Sequence, residues 1–356
     1  LSKGCSIVVA TSIFGKKDKL QQPEVMSPQL RDCFFAIVDA KTAAFLAATA
    51  PKSIKRAAEK DPSVLSTKRV GSWQLLTLDL ETSPYAQPRR ASRVPKLLPF
   101  HFFPHADYSL WVDGKLKLLT SPKDLVRRFL KNPRAKLSMP RNLRRNHIDE
   151  EMEWIRSALA SEPEKLNSRD AALVEAQWEF YQGEQRAQNA SDPRHLDSSA
   201  QKVRRGSVKI SRAHGSWTAQ TSCAEGAMIL TDLRSDVARC VLCAWFNEWH
   251  RFGERDQLSL SYVLHAMGLT PSADQEAEDQ DGKEAAALRV GKTPKSHAHR
   301  FHHGIYLWPR RDHWNYKRSL GEAKRPKYVK YVGHGGCAQG HKKTLRPNPG
   351  CPEIAA

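Results

Sequence analysis

The sequence lacks the short motifs that mark several common enzyme classes. It contains no G-x-x-x-x-G-K-[ST] phosphate loop, no G-x-G-x-x-G after a strand, no G-x-S-x-G nucleophile elbow and no H-E-x-x-H zinc motif. It also has no run of 18 apolar residues, so we expect no part of the printed chain to cross a membrane. These absences exclude P-loop nucleotide hydrolases, Rossmann dehydrogenases, α/β hydrolases and zinc proteases that depend on those motifs.

Cysteine is scarce as well. Seven cysteines are spread over 356 residues, which is too few and too scattered for a fold defined by disulfides. Cys240 and Cys243 form a C-x-x-C pair, a spacing that zinc and redox sites use. Because the surrounding run reads as one face of a helix, we predict that these thiols are small core residues rather than ligands.

Acidic residues are also in short supply: 38 Asp and Glu face 57 Lys and Arg, a net charge of +19. Residues 89–145 hold fifteen basic and three acidic side chains, and residues 292–346 hold fourteen and two. The first stretch overlaps predicted strands and helices, whereas the second is loop-like. We therefore expect the first stretch to bind an anionic ligand and the second to be a tail.

The sequence does contain an alternation of apolar, β-branched runs and helical segments. The predicted strands are residues 5–15, 33–39, 73–80, 108–112, 136–139 and 227–230. The predicted helices include residues 121–130, 148–159, 171–181, 235–249 and 257–267. Strands that alternate with helices predict an α/β domain with a mostly parallel central sheet. Residues 271–287, which include six acidic residues and little that is apolar, predict a disordered linker.

Two of the predicted strands end in aspartate, Asp39 and Asp113. Ligands of open parallel sheets bind beyond the carboxyl ends of the strands, so we expect both side chains on one side of the domain, at a cofactor-binding site. Each aspartate would equally suit a loop cap, and for Asp39 that alternative stays open. Asp113 is followed by Gly114 and Lys115, which offer close backbone approach and a cation. Such a site would suit a nucleotide diphosphate or a sugar hydroxyl.

Two long blocks of sequence resemble a known family. The first block is residues 89–119, which include Tyr-Ser-Leu-Trp-Val-Asp-Gly-Lys at 108–115. The second is residues 243–260, which include Trp-Phe-Asn-Glu-Trp-His-Arg-Phe-Gly-Glu-Arg-Asp at 245–256. With shorter blocks between residues 5 and 268, they resemble the plant-type glycosyltransferase-like family first met as a domain of unknown function. Its named members are the mucilage-related and turgor-regulation-defect proteins.

Composition predicts an acidic disordered linker at 269–290 and a poorly ordered, basic, His-rich tail at 291–356. The resemblance implies a GT-A-like (Rossmann-like) single domain over residues 1–268. It also implies transfer of a sugar from a nucleotide-sugar donor to a glycan or polysaccharide acceptor, such as a cell wall polysaccharide, in the Golgi lumen. The chain starts at Leu1, and we expect the membrane anchor of such an enzyme to lie outside the printed sequence.

In GT-A enzymes an Asp-x-Asp motif at a strand end binds the divalent cation, Mn²⁺ or Mg²⁺, that neutralises the donor diphosphate. Asp113 takes the first place of that motif and is the candidate metal ligand, whereas Lys115 takes the second. Cations of the protein could serve the diphosphate instead, and the candidates are Lys115, Arg89, Arg93 and Lys96. The alternative for that basic group is a solvated surface.

Two carboxylates are candidates for catalysis. Asp256 resembles the acceptor-side carboxylate that GT-A enzymes often carry at a helix start, where it would be the general base; its alternative is a helix N-cap. Glu248 is the second candidate, with a place on a helix surface as its alternative. A group of histidines, His297, His299, His302, His303 and His313, lacks a zinc spacing with cysteine and is expected to be a surface tract.

Two other functions remain open. The family resemblance includes a member assigned ceramide hydrolysis, so a ceramide-directed lipid hydrolase is one alternative, although the sequence shows no Ser-His-Asp or zinc constellation for it. The charge of +19 alone would suit a non-enzymatic polyanion-binding protein. No helix-turn-helix, zinc-finger or aromatic-basic strand signature is present, so we expect no nucleic-acid partner.

Overall fold

The computed structural model describes residues 3–24, 33–85, 87–131, 135–142, 145, 147–161, 168–191, 223–253, 256–267, 269, 305–308 and 329–331. Its strands are β1 Ile7–Ile13, β2 Phe34–Val38, β3 Leu65–Ser66, β4 Arg69–Val70, β5 Trp73–Thr77, β6 Tyr108–Val112, β7 Leu116–Leu118, β8 Leu137–Pro140, β9 Met228–Asp232, β10 Ile305–Trp308 and β11 Val329–Tyr331. Its α-helices are α1 Ala40–Ala48, α2 Lys52–Lys60, α3 Pro88–Ala91, α4 Arg93–Leu97, α5 Pro99–Phe102, α6 Pro122–Val126, α7 Ile148–Ser161, α8 Ser168–Ser191, α9 Asp236–Phe252 and α10 Asp256–Ala266.

Nine of these strands form one sheet in the order β10-β8-β9-β6-β1-β2-β5-β4-β3. Strands β5, β2, β1 and β6 pair in parallel, β9 is antiparallel to both β6 and β8, and β10 is parallel to β8. Apart from β9 and β4, the strands therefore run in one direction. The predicted α/β class with a mostly parallel central sheet is confirmed, and β2, β1 and β6 are neighbours at its centre.

The centre of the sheet is apolar because its strands are covered on both faces. All five residues of β2 are buried, and so are six of the seven residues of β1. A disulfide between Cys5 and Cys33 joins the starts of these two strands. Among the described cysteines, this pair links the two central strands, a pairing that the sequence pattern did not predict.

The short helices before β6 follow the prolines. Helices α3 and α5 have proline in their first turn, where the missing N–H is not needed by the helix. Helix α6 begins in the same way, with Pro122 after the capping hydroxyl of Ser121, and continues into a π-helical turn, Arg127–Lys131. The predicted helix over residues 121–130 is therefore present as an α-helix followed by a π-helical turn.

The chain divides into two compact units. The first comprises residues 1–140, 226–246 and 303–356, and holds the sheet. The second comprises residues 141–225 and 247–302, with α7, α8 and α10 around a core that includes Ile155 and Leu258. The sequence pattern did not indicate this division.

The predicted tail at 291–356 contains two strands. Strand β10 pairs with β8 at one edge of the sheet, and β11 pairs with β7 in a separate two-stranded sheet. Trp308 in β10 is fully buried, and its ring stacks on Phe129 with centroids 3.9 Å apart. The tail is therefore not irregular throughout, because β8 offers an open edge and Trp308 supplies apolar surface to cover it.

Other predictions for this part of the chain are not tested. The five histidines and nearly all of the acidic linker lie outside the described residues. Within the described residues, no helix is long and apolar enough to cross a membrane.

Candidate active site

The candidate site lies at the carboxyl edge of the sheet, where β1, β2 and β6 end side by side. Asp39 directly follows β2, and Asp113 directly follows β6. Strand β1 separates the two, so the strands that carry them are about 10 Å apart. The prediction that both aspartates lie on one side of the domain is confirmed.

Asp39 holds the turn that follows β1. Its carboxylate accepts hydrogen bonds from the Thr42 backbone N–H, the Thr42 hydroxyl and the Gly15 backbone N–H, each 2.8 Å long. Gly15 has φ of +66°, a left-handed conformation that favours glycine. The capping role given as the alternative for Asp39 is thus present: it begins helix α1 and shapes the loop at the end of β1.

Asp113 lies at the centre of the site. The Trp111 indole N–H donates to Asp113 Oδ1 over 2.9 Å, and Lys115 Nζ lies 3.7 Å from Asp113 Oδ2. Gly114 lies against β1, since a Cβ at this position would come within 2.9 Å of Ile13 Cγ1. The Asp-Gly-Lys sequence therefore places one carboxylate and one cation at the strand end, with a glycine that the close approach to β1 requires.

The basic segment of residues 89–96 packs on the end of β1. The Ser12 hydroxyl donates to the Ser92 carbonyl over 3.0 Å, and Pro88 lies 3.6 Å from the Cβ position of Gly15. Arg89 and Arg93, on α3 and α4, are half-buried. Their role in binding a diphosphate stays a prediction.

Lys96 is the most enclosed of the predicted cations, with 3% of its surface exposed. Its Nζ lies 5.7 Å from the ring centroid of Trp245. The same ammonium group lies against Gly226, where a Cβ would come within 2.8 Å of Nζ. The next residue, Ala227, accepts a hydrogen bond from the Asp113 N–H over 2.9 Å, so Lys96 and Asp113 contact the same short segment before β9.

The described residues leave the metal role of Asp113 a prediction. They contain no group of three or more His, Cys, Asp or Glu side chains that could hold a metal ion. The two oxygens of Asp113 already interact with an indole N–H and an ammonium group. Oxygen ligands are what Mg²⁺ and Mn²⁺ prefer, and Lys115 stands where a second carboxylate would be needed.

The two predicted catalytic carboxylates, Glu248 and Asp256, lie in the second unit. Glu248 accepts a hydrogen bond of 3.1 Å from the Tyr181 hydroxyl, and burial raises the pKa of its carboxyl above the ordinary value. Tyr181 is fully buried and stacks on Tyr262, with centroids 4.0 Å apart. Asp256 is the first residue of α10 and is 7% exposed. Their catalytic roles stay predictions.

Sequence reasoning missed Trp245 and Gly226. Both residues lie in segments that carried the family resemblance. No sequence pattern indicated that either one contacts Lys96, which lies 130 residues or more earlier in the chain. Cys240 and Cys243 lie on the predicted helix, α9, but are half-buried rather than fully in the core.

Comparison with known proteins agrees with the sequence resemblance. The family model of the TOD1/MUCI70 glycosyltransferase-like domain matches residues 2–278. The probable hexosyltransferase MUCI70 of Arabidopsis thaliana is 29% identical over 259 residues, covering 72% of this chain and 37% of that protein. The alkaline ceramidase TOD1 of the same plant is 24% identical over 270 residues, covering 73% of this chain and 48% of that protein.

The chain thus spans less than half the length of either of these relatives. Among solved structures, apo mouse xyloside xylosyltransferase 1 aligns with 75% of this chain and 83% of its own, at 10% identity and a TM-score of 0.31. That score is too low to carry an argument about the site.

Proposed function

This chain belongs to the TOD1/MUCI70 glycosyltransferase-like domain family, and from that premise we propose that it transfers a hexosyl group from a nucleotide-sugar donor to a hydroxyl of a glycan or polysaccharide acceptor. Similarity to a probable hexosyltransferase supports the choice of a hexose. The Cys5–Cys33 disulfide suits an oxidising compartment and so supports residence in the Golgi lumen.

One observation carries the proposal. Asp113 and Lys115 lie at the carboxyl edge of a mostly parallel sheet, and the basic segment of residues 89–96 packs on the adjacent strand end. Ligands of such sheets bind at this edge, and a group of cations there suits a diphosphate. A carboxylate beside those cations suits a sugar hydroxyl, so the site has one part for each half of a nucleotide sugar.

The chemistry requires charge stabilisation at this edge. The acceptor hydroxyl oxygen bonds to the anomeric carbon of the donor sugar, and the bond from that carbon to the diphosphate oxygen breaks. The diphosphate leaves with the bonding electron pair, and Lys115, Lys96 and Arg93 are the cations proposed to stabilise its growing charge. The hydroxyl proton passes to a general base, for which Asp256 is the candidate that the resemblance supplies.

Donor binding to the Asp113→Asn variant tests the proposal. Isothermal titration with a panel of nucleotide sugars first identifies the donor that the wild-type chain binds. Asparagine keeps the shape and still accepts from the Trp111 indole, but it loses the charge. A hydrogen bond to a charged group contributes about 1.5–3 kcal/mol, so we expect affinity for that donor to fall about ten- to a hundredfold.

The matched control is Asp107→Asn. Asp107 precedes the same strand β6 at its opposite end and is half-buried, with an ion pair of 3.5 Å to Arg234. Donor affinity should therefore be unchanged in this variant. If the wild-type chain binds no nucleotide sugar, or if Asp113→Asn binds as well as Asp107→Asn, the proposed donor site is wrong.

Ceramide hydrolysis is the second candidate, because one relative is an alkaline ceramidase. In that reaction water would cleave the amide bond and release a fatty acid and sphingosine. Release of fatty acid from ceramide by the purified chain, with no transfer from any nucleotide sugar, would favour this candidate over the first.

A further inference from the structure

Lys96 is a cation inside the protein, on helix α4. Its 3% exposure means that the ammonium group has lost almost all of its contact with water, which is costly unless other groups stabilise the charge. The face of an indole is one such group, and Trp245 provides it at 5.7 Å from Nζ. Trp245 is itself fully buried on α9, so its ring has little freedom to move.

Gly226 closes the other side of the ammonium group. A Cβ at this position would lie 2.8 Å from Lys96 Nζ, 3.4 Å from Cε and 3.7 Å from Trp245 Cη2. Real Cβ contacts are longer than the first of these distances, so any residue other than glycine would displace the end of the lysine. The backbone at Gly226 therefore defines one wall of the space in which the ammonium group lies.

The same segment contacts Asp113. Ala227, next to Gly226, accepts a hydrogen bond from the Asp113 N–H, and Asp113 in turn lies 3.7 Å from Lys115. The backbone of Gly226 and Ala227 therefore connects the Lys96 ammonium group to the strand end that carries the proposed donor site. A diphosphate at that end would lie in the electric field of Lys96, an enclosed charge, and beside Lys115, a more exposed one.

We propose that Gly226 and Trp245 are positioning residues that hold Lys96 as a preorganised cation for the donor diphosphate, an inference that rests on the proposed function. A cation fixed before the ligand arrives needs no rearrangement when charge develops on the leaving group. Trp245 sets the position of Nζ by its ring face, and Gly226 sets it by the absence of a side chain.

The Gly226→Ala variant tests whether the position of the Lys96 ammonium group matters for binding, separately from the stability of the fold. The added methyl group meets the far end of the Lys96 side chain rather than backbone, and a thermal melt of the same variant measures what the shift costs in stability. The ammonium group, however, must leave its place. We expect pyrophosphate to bind at least about tenfold more weakly, the loss typical of one interaction with a charged group.

Gly183→Ala is the matched control. Gly183 lies in helix α8 of the second unit, and a Cβ there would have no atom within 4 Å. The same chemical change at this position should leave pyrophosphate binding unchanged. Lys96→Arg is a second comparison, because it keeps the charge but places a larger group in the space that Gly226 closes; it should bind more weakly than the wild type.

Nuclear magnetic resonance of ¹³Cε-labelled lysines gives a readout that does not depend on binding. The Lys96 signal, assigned by its loss in Lys96→Arg, should be displaced by the ring current of Trp245 and should move in both Trp245→Leu and Gly226→Ala. Titration with inorganic pyrophosphate should then shift the same signal in the wild-type chain and in Gly183→Ala.

The outcomes separate the two proposals. If the wild-type chain binds nucleotide sugars but Gly226→Ala binds pyrophosphate equally well, the positioning inference is wrong and the proposed function stands. A Lys96 signal that Trp245→Leu leaves in place overturns the inference as well. If the wild-type chain binds neither pyrophosphate nor any nucleotide sugar, the proposed function fails, and the inference that rests on it fails with it.

Discussion

Replacing Trp308 by alanine tests whether the sheet includes strand β10. Trp308 is fully buried, its ring stacks on Phe129 with an interplanar angle of 6°, and its indole N–H donates to the Ser138 hydroxyl over 2.8 Å. Ser138 and Phe129 are buried too, so the three groups form a closed contact at the β8 edge. Sequence composition assigned this region to a tail.

The contacts indicate how much stability the change removes. Truncating a buried tryptophan to alanine costs about 3–5 kcal/mol, which includes the cavity left behind. The Ser138 hydroxyl also loses its partner, and a buried unpaired polar group costs about 1–3 kcal/mol when water does not reach it. Trp308→Phe keeps a stacked ring and loses mainly the hydrogen bond, so its cost should be about 1–2 kcal/mol.

Urea unfolding followed by circular dichroism measures these differences. Trp154→Ala is the matched control, because Trp154 is 42% exposed in the second unit and should cost less than about 1 kcal/mol. The chain has two units, so the transition of the first unit should be followed by hydrogen exchange at β8 and β9. If Trp308→Ala unfolds within about 0.5 kcal/mol of the wild type, β10 does not pack on the sheet and the region is a tail.

Three further predictions concern the site and the second unit. Adding a chelator should change the donor affinity of the wild-type chain less than about twofold. The Lys115→Asp variant has two carboxylates at the strand end and should bind donor only when Mn²⁺ is present. Donor binding by the wild-type chain that a chelator abolishes would refute this. Asp256→Asn should lower turnover about a hundred- to ten-thousandfold at unchanged donor affinity if it is the general base, and equal turnover per folded molecule would remove it from catalysis. The pKa of Glu248 is raised by burial, so its contribution to stability is present below the unfolded pKa and is lost as pH rises through the folded pKa. Glu248→Gln should therefore raise the melting temperature at pH 7.5 and lose that advantage toward pH 4; an equal shift at both pH values would contradict the assignment.

The sequence by itself determined the class of the fold and the edge that carries the site. Apolar β-branched runs such as β1 and β2 identify buried strands because strands covered on both faces need continuous apolar residues. Aspartate directly after such a run is local information too, and it placed Asp39 and Asp113 correctly at the carboxyl edge. The family resemblance rested on the same local blocks, and the family match is confirmed over residues 2–278.

Only the tertiary structure decided which distant residues meet. The contact of Lys96 with Trp245 and Gly226 joins segments that no sequence periodicity connects. The Lys96 ammonium group fits there because Gly226 has no Cβ, and only the folded structure shows that these two residues meet. Strand β10 lies in a basic stretch whose composition predicts a tail, yet β8 supplies an open edge that pairs with it. Composition and periodicity report how a segment behaves alone, whereas burial of a single tryptophan or lysine depends on the surfaces that other segments bring to it.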